Sequence, residues 1–190
     1  MLLLTSVVFA HEKPLKQINY KVIRNNALIG FINVSCITKN DSIIYYLDGH
    51  INVNFLVRFD IKGRETSIFK DNTLVYSSVF RKINDKVKSK YKVIYKDRQY
   101  HEEGAKALIP LDLNRIQNNL VSLYFNEPKK INRVYSAYLK EVVDVQFMGN
   151  GKYKVDLSNG KYNIFHYNHG KCVMIEVYSR FFSVTLIPDS

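Results

Sequence analysis

Glycine and proline are scarce in this chain, with 8 and 4 among 190 residues, and there are only two cysteines, Cys36 and Cys172. Set against 14 Tyr and 11 Phe, that scarcity favours strands over helices. Two cysteines so far apart make no disulfide framework, and a chain of this length buries about 70% of its unfolded surface without staples. A Cys36–Cys172 bridge would need an early and a late strand to be neighbours, so two buried free thiols are the expectation. Beyond residue 10 no stretch is long and apolar enough for a transmembrane helix. A nucleophile elbow, a phosphate-binding glycine loop, a metalloprotease helix and a Cys-x-x-Cys pair are all missing. No cofactor is expected, and catalysis would have to come from residues far apart in sequence. Acids are also short, 17 against 28 Lys and Arg, for a net charge of +11.

What the chain does have is alternation. Ile51, Val53, Phe55, Val57, Phe59 and Ile61 occupy every odd position of one stretch, the side-chain period of a strand with one wet and one buried face. It reads as one long strand. Before it, Gln17–Arg24, Leu28–Lys39 and Ile43–Leu47 alternate likewise, separated by turns at Asn25-Asn26 and Asn40-Asp41-Ser42, and Asp48-Gly49 reads as a hairpin turn. Lys62-Gly63, Lys70-Asp71-Asn72 and Asn84-Asp85 then separate Arg64–Phe69, Thr73–Ile83 and Lys86–Lys96. Leu113, Ile116, Leu120 and Leu123 change the period to that of a helix, so one short helix is predicted at residues 112–123 behind an Asp112 cap. After Asn126-Glu127-Pro128, strands return around Asn150-Gly151, Asn159-Gly160 and His169-Gly170, each a cue for a tight hairpin. The prediction is an all-β fold, a large antiparallel meander curled into an open barrel or a two-layer sheet.

Met1–Ala10 is apolar and uncharged and gives way to His11-Glu12-Lys13-Pro14. It reads as a signal-peptide remnant before a single β domain at residues 11–190, and so places the protein in the periplasm or elsewhere in the cell envelope.

Three neighbourhoods could carry function. Phe55, Val57 and Phe59 offer an apolar lining for a lipid or other amphiphile if the sheet is concave there. Lys86, Lys88, Lys90, Lys92 and Lys96 would line one face of an extended strand, suited to an anionic envelope surface or an acidic protein. The plainer alternative is a solvated face whose lysines blunt a sheet edge. Nucleic acid fits poorly, because Tyr91 and Tyr95 fall opposite the lysines and single-strand binding wants both on one surface. His101-Glu102-Glu103 is the best candidate if there is hydrolysis. His166 and His169 point apart on a strand and lack a third ligand, so no metal is expected.

Tyr20-x-Val22, Ile29-Gly30, Leu123-Tyr124-Phe125-Asn126-Glu127-Pro128 and Val134-Tyr135-Ser136 occur in that order. Gly151-x-Tyr153-x-Val155 and Asn159-Gly160-x-Tyr162-Asn163-x-Phe165-x-Tyr167 follow. In these residues the chain resembles an uncharacterised family of exported proteins from Gram-negative bacteria, known only as a domain of unknown function. The resemblance implies an envelope location and a large antiparallel β fold, and by looser analogy a curled sheet like that of periplasmic lipoprotein carriers. It carries no catalytic residues. Two roles follow as expectations: a non-catalytic exported protein holding an amphiphile in the concave face, or a structural or interaction module with a filled core. A hydrolase is the third.

Overall fold

The computed structural model describes residues 16–54, 58–180 and 182–189. Residues 1–10, read above as a signal remnant, lie outside the described residues. Eight strands come first: β1 Lys16–Arg24, β2 Ala27–Lys39, β3 Ser42–Asn54, β4 Arg58–Lys70, β5 Thr73–Ile83, β6 Lys86–Lys96, β7 Gln99–Glu103 and β8 Leu108–Leu111. A 3₁₀ turn at Leu120–Tyr124 precedes β9 Arg133–Ser136, β10 Glu141–Gly149, β11 Lys152–Leu157, β12 Lys161–Asn168, β13 Lys171–Tyr178 and β14 Ser183–Pro188.

All fourteen strands join one antiparallel sheet in the order 8-7-6-5-4-3-2-1-14-13-12-11-10-9. It is two meanders, β1–β8 and β9–β14, joined where the first strand pairs with the last. The edges β8 and β9 are not paired with each other among the described residues, so the sheet is open. It nevertheless curls. The 3₁₀ turn touches both Tyr45 on β3 and Phe165 on β12, which four other strands separate in the sheet. Tyr91 on β6 also donates to the Ala137 carbonyl just after β9, at 3.1 Å. The all-β, meandering, barrel-like prediction describes the fold.

Tight turns follow from residues that accept positive φ. Asn25-Asn26, Asp71-Asn72 and Asn84-Asp85 have it at both central positions, as do Asn150-Gly151, Asn159-Gly160 and His169-Gly170.

Three predicted details are corrected. Ile51–Ile61 is not one strand. It is the end of β3 and the start of β4, with Ile51 paired to Ile61 and Val53 to Phe59. Odd residues pair with odd residues here, so apolar alternation runs through the reversal without a break in phase. Asp48-Gly49 and Lys62-Gly63 are not turns either. Gly49 and Gly63 face each other in mid-sheet, and neither has positive φ. Finally, the predicted helix shrinks to one 3₁₀ turn capped by Asn119, while residues 112–118 form neither helix nor strand.

Gly30 has a different purpose. A Cβ there would lie 2.2 Å from the His50 carbonyl oxygen on β3, backbone that cannot move aside. Gly30→Ala is therefore expected to cost about 1–3 kcal/mol, read as a lower urea midpoint.

Candidate functional site

The interior is organised by the segment that leaves β8 and becomes the 3₁₀ turn. Of residues 112–118 only Ile116 is buried, and a buried irregular residue needs partners for its backbone groups. Here the wall supplies them. Leu74 N donates to the Ile116 carbonyl at 2.9 Å, and Ile116 N donates to the Tyr100 hydroxyl at 3.1 Å. Arg115 ties the same strap to the β4–β5 turn, through Nε to Thr73 Oγ1 at 2.7 Å and Nη2 to the Asp71 carbonyl at 2.8 Å. Asn119 caps the turn, its Oδ1 accepting from Ser122 N at 2.9 Å.

Val121, Leu123, Tyr124 and Phe125 are buried and form a plug. The Tyr124 ring stands edge-on to Tyr20 on β1 and Phe165 on β12, with centroids 5.4 and 5.6 Å away. Phe125 packs on Tyr45 at 5.9 Å. Wall tyrosines bond the plug from two strands, and a third strand's tyrosine bonds the chain just after it. Tyr167 donates to the Leu123 carbonyl, Tyr20 to the Tyr124 carbonyl at 3.5 Å, and Tyr153 to Glu127 Oε1 at 3.0 Å. An aromatic ring with a polar tip suits this position, filling the core while satisfying a backbone acceptor. Burial raises the pKa of Tyr20 and Tyr167, and lifts Tyr45 to about 12. All three stay neutral hydrogen-bonding groups.

Next to the plug the wall turns polar. Glu65 on β4 has Leu47 and Val79 as lateral partners, one step from the facing pair Ser67 and Ser77, which are fully buried. Glu65 Oε1 is buried and without a hydrogen-bond partner. Burial pushes its carboxyl up to about 7.

The predicted site residues do not converge. Phe55 and Val57 lie outside the described residues. Phe59 is 39% exposed, on a hairpin at the end of the sheet. The five lysines do not share one face. Arg81 pairs with Ser89 but Lys82 pairs with Val87, leaving Lys88 as an extra residue in β6. This bulge reverses the alternation, so Lys90, Lys92 and Lys96 point outward while Lys86 turns to the opposite face. Lys92 is paired with Glu103 at 2.8 Å.

Nor does His101-Glu102-Glu103 form a cluster. By register Glu102 faces inward with Val93, and its Oε2 meets Lys140 Nζ at 2.7 Å, whereas His101 and Glu103 face out. His166 lies 3.0 Å from Glu176 Oε1 and His169 sits in a turn. Among the described residues no group of three or more His, Cys, Asp or Glu could hold a metal ion. Cys36 and Cys172 are free and buried, and burial pushes the Cys172 thiol up to about 11. Both thiols are inert by that criterion. No helix among the described residues is long and apolar enough to cross a membrane.

Sequence reasoning missed Asn119, Glu65 and the tyrosine clamps. Asn119-x-x-Ser122 is a legible cap. Glu65 was hidden because a turn was placed at Lys62-Gly63, which conceals the inward row Ile61, Gly63, Glu65, Ser67 and Phe69.

The family described as domain of unknown function DUF6134 matches residues 20–189, from the first buried tyrosine of β1 to the end of β14. The chain belongs to this family. The DUF6134 match takes in the strap, the plug and every wall tyrosine that bonds the plug. Among solved structures, the chain is similar to a β-barrel-like protein of the domain of unknown function DUF1849 from Brucella abortus. That likeness has a TM-score of 0.56 at 9% identity and covers 92% of this chain and 95% of the other. It shows the shared fold. No curated protein matches the DUF6134 chain.

Proposed function

We propose that this DUF6134 protein is a non-catalytic, exported envelope module that works through its outer surface, with its concave face occupied by its own chain. One observation carries the reading: Val121–Phe125 fills the space that a lipid carrier would leave for an acyl chain, tyrosines from β1 and β12 bond it, and one from β11 bonds Glu127 just after it. The space left beside the plug, about 200 Å³ between Tyr45, Phe69 and Leu123, is below the roughly 300–1,000 Å³ of ligand pockets. The larger hollows, about 580 Å³ each, are surface grooves flanking residues 130–132. Export is supported by the apolar opening Met1–Ala10, and an anionic partner by the basic strand β6.

Native mass spectrometry of the protein purified from its own cells, with lipid extraction, tests this. The expected result is the bare chain mass. Stoichiometric co-purifying acyl species would overturn the filled-interior reading in favour of an amphiphile carrier.

A further inference from the structure

We propose that the inner wall of β4 and β5, beside the plug, binds a sodium or potassium ion through the Glu65 carboxylate and the hydroxyl oxygens of Ser67, Ser77 and Tyr135. The inference goes beyond the surface-module reading and does not depend on it.

Buried polar atoms normally have partners, and several unpartnered ones in one place can be satisfied by a single ligand. Among the described residues eight buried side-chain polar atoms have no hydrogen-bond partner, and four of the eight are Glu65 Oε1, Ser67 Oγ, Ser77 Oγ and the Tyr135 hydroxyl. They share one neighbourhood. Ser67 and Ser77 are Cα partners on β4 and β5, and Glu65 precedes Ser67 by one step of the same inward row. Ser67, Ser77 and Tyr135 are at most 1% exposed. Tyr135 completes the group from β9. Burial raises its pKa to about 12, Ser77 acts on it as a hydrogen-bonding neighbour, and the Glu65 charge raises it further. There is room beside them: a Cβ built on Gly63, the inward residue before Glu65, would meet no atom within 4 Å.

Charge selects the ligand. Glu65 is the one carboxylate of the group, and no cation offsets its burial. The cations of the adjoining wall are committed elsewhere. Lys140 meets Glu102 Oε2 at 2.7 Å, and Arg81, the partner of Gly63, donates to the Tyr138 hydroxyl at 3.3 Å with its guanidinium 5.5 Å from that ring centre. Tyr91 and Tyr124, which also feel the Glu65 charge, are kept neutral chiefly by burial. One negative charge among neutral hydroxyl oxygens matches one hard monovalent cation. Calcium takes about six to eight oxygens, with several carboxylates as a rule. Transition metals want a cluster of His, Cys, Asp or Glu that the described residues do not form. The unpartnered Asn119 Nδ2, on the residue bridged to Tyr135, is a donor and so does not ligate the ion.

Thermal unfolding of the full chain at pH 8, in equal concentrations of choline, sodium or potassium chloride, tests this. Choline is too large to enter and leaves the ionised carboxylate unmatched. With the ion at about ten times its Kd the folded state gains about elevenfold, so the parent's melting temperature should rise by roughly 3–6 °C over choline. The sodium and potassium arms tell the two ions apart. At pH 5 Glu65 keeps its proton, and the three salts should give one melting temperature. Glu65→Gln and Ser67→Ala/Ser77→Ala should each abolish the salt difference at pH 8, the second with the carboxylate still in place. Equal melting temperatures of the parent in all three salts at pH 8 overturn the proposal, and that is the result if water alone meets these oxygens. So does a salt difference that survives in Glu65→Gln or in the double serine variant. The lipid content of the native protein is blind to these salts, so either reading can fail alone.

Discussion

Tyr124→Ala is expected to lower the unfolding free energy by about 3–5 kcal/mol, the range for removing a large aromatic side chain from a core that cannot collapse around the gap. The ring is buried between Tyr20 and Phe165, edge-on to both, and its own strap enters the barrel on bonds from Leu74, Tyr100 and Arg115. Truncation leaves a cavity at the junction of both meanders, so neither half can relax without losing contact with the other. At about 2–4 °C per kcal/mol for a chain of this size, the melting temperature should fall by roughly 10 °C. Tyr124→Phe keeps the ring contacts and the carbonyl that Tyr20 bonds, and should cost less than about 1.5 kcal/mol. Urea unfolding followed by tyrosine fluorescence reads both. A loss under about 1 kcal/mol for Tyr124→Ala would show that the plug is not what the sheet closes on.

The second large effect is a dependence on pH. Glu65 is raised from an ordinary value of 4.5 to about 7 by burial. The unfolded chain therefore gives up this proton near pH 4.5, while the folded chain keeps it until about pH 7. Between those values the folded state binds the extra proton, so Glu65 lowers stability as pH rises through that window. The neutral form is comfortable below pH 4.5, and the full penalty, about 2–3 kcal/mol, is reached above pH 7. Glu65→Gln keeps the shape and removes the charge. It is expected to be more stable than the parent by about 2 kcal/mol at pH 8 and nearly equal to it at pH 4.5. The difference between the two proteins across pH isolates this carboxyl from the other acids. A constant difference would mean that Glu65 reaches solvent when it ionises.

These two residues show what was legible beforehand and what was not. Tyr124 and Phe125 belong to a motif that stands out in the sequence, yet their position inside the barrel depends on a strap whose helical spacing at Leu113, Ile116, Leu120 and Leu123 points the wrong way, since residues 112–118 form neither helix nor strand. Glu65 lies on an inward row of β4 whose phase is plain once the strand is known to run from Arg58 to Lys70. Two dipeptides with the composition of turns, Asp48-Gly49 and Lys62-Gly63, cut β3 and β4 in the wrong places. The true reversal, between Asn54 and Arg58, has no glycine, proline or Asn-Gly pair inside it. The lysine strand failed for a related reason. Alternation predicts faces only while the register is unbroken, and the bulge at Lys88 is set by pairing with β5.

Local chemistry determined a good deal by itself. Alternation made the chain an antiparallel meander, Asn, Asp and Gly placed most of its turns through positive φ, and the charge distribution marked β6 as basic. These features depend on neighbours in sequence and need no tertiary context. Only the tertiary structure decided where the long hairpin reverses, which lysines share a face and what fills the concave side. Each of those depends on partners many residues away: an odd-to-odd register that hides a reversal, a bulge that flips a face, and wall tyrosines that bond a plug. The stretch Ile51–Ile61 contains the clearest case. Its apolar alternation is real, but pairing folds it into a hairpin at the end of the sheet, where Phe59 is exposed.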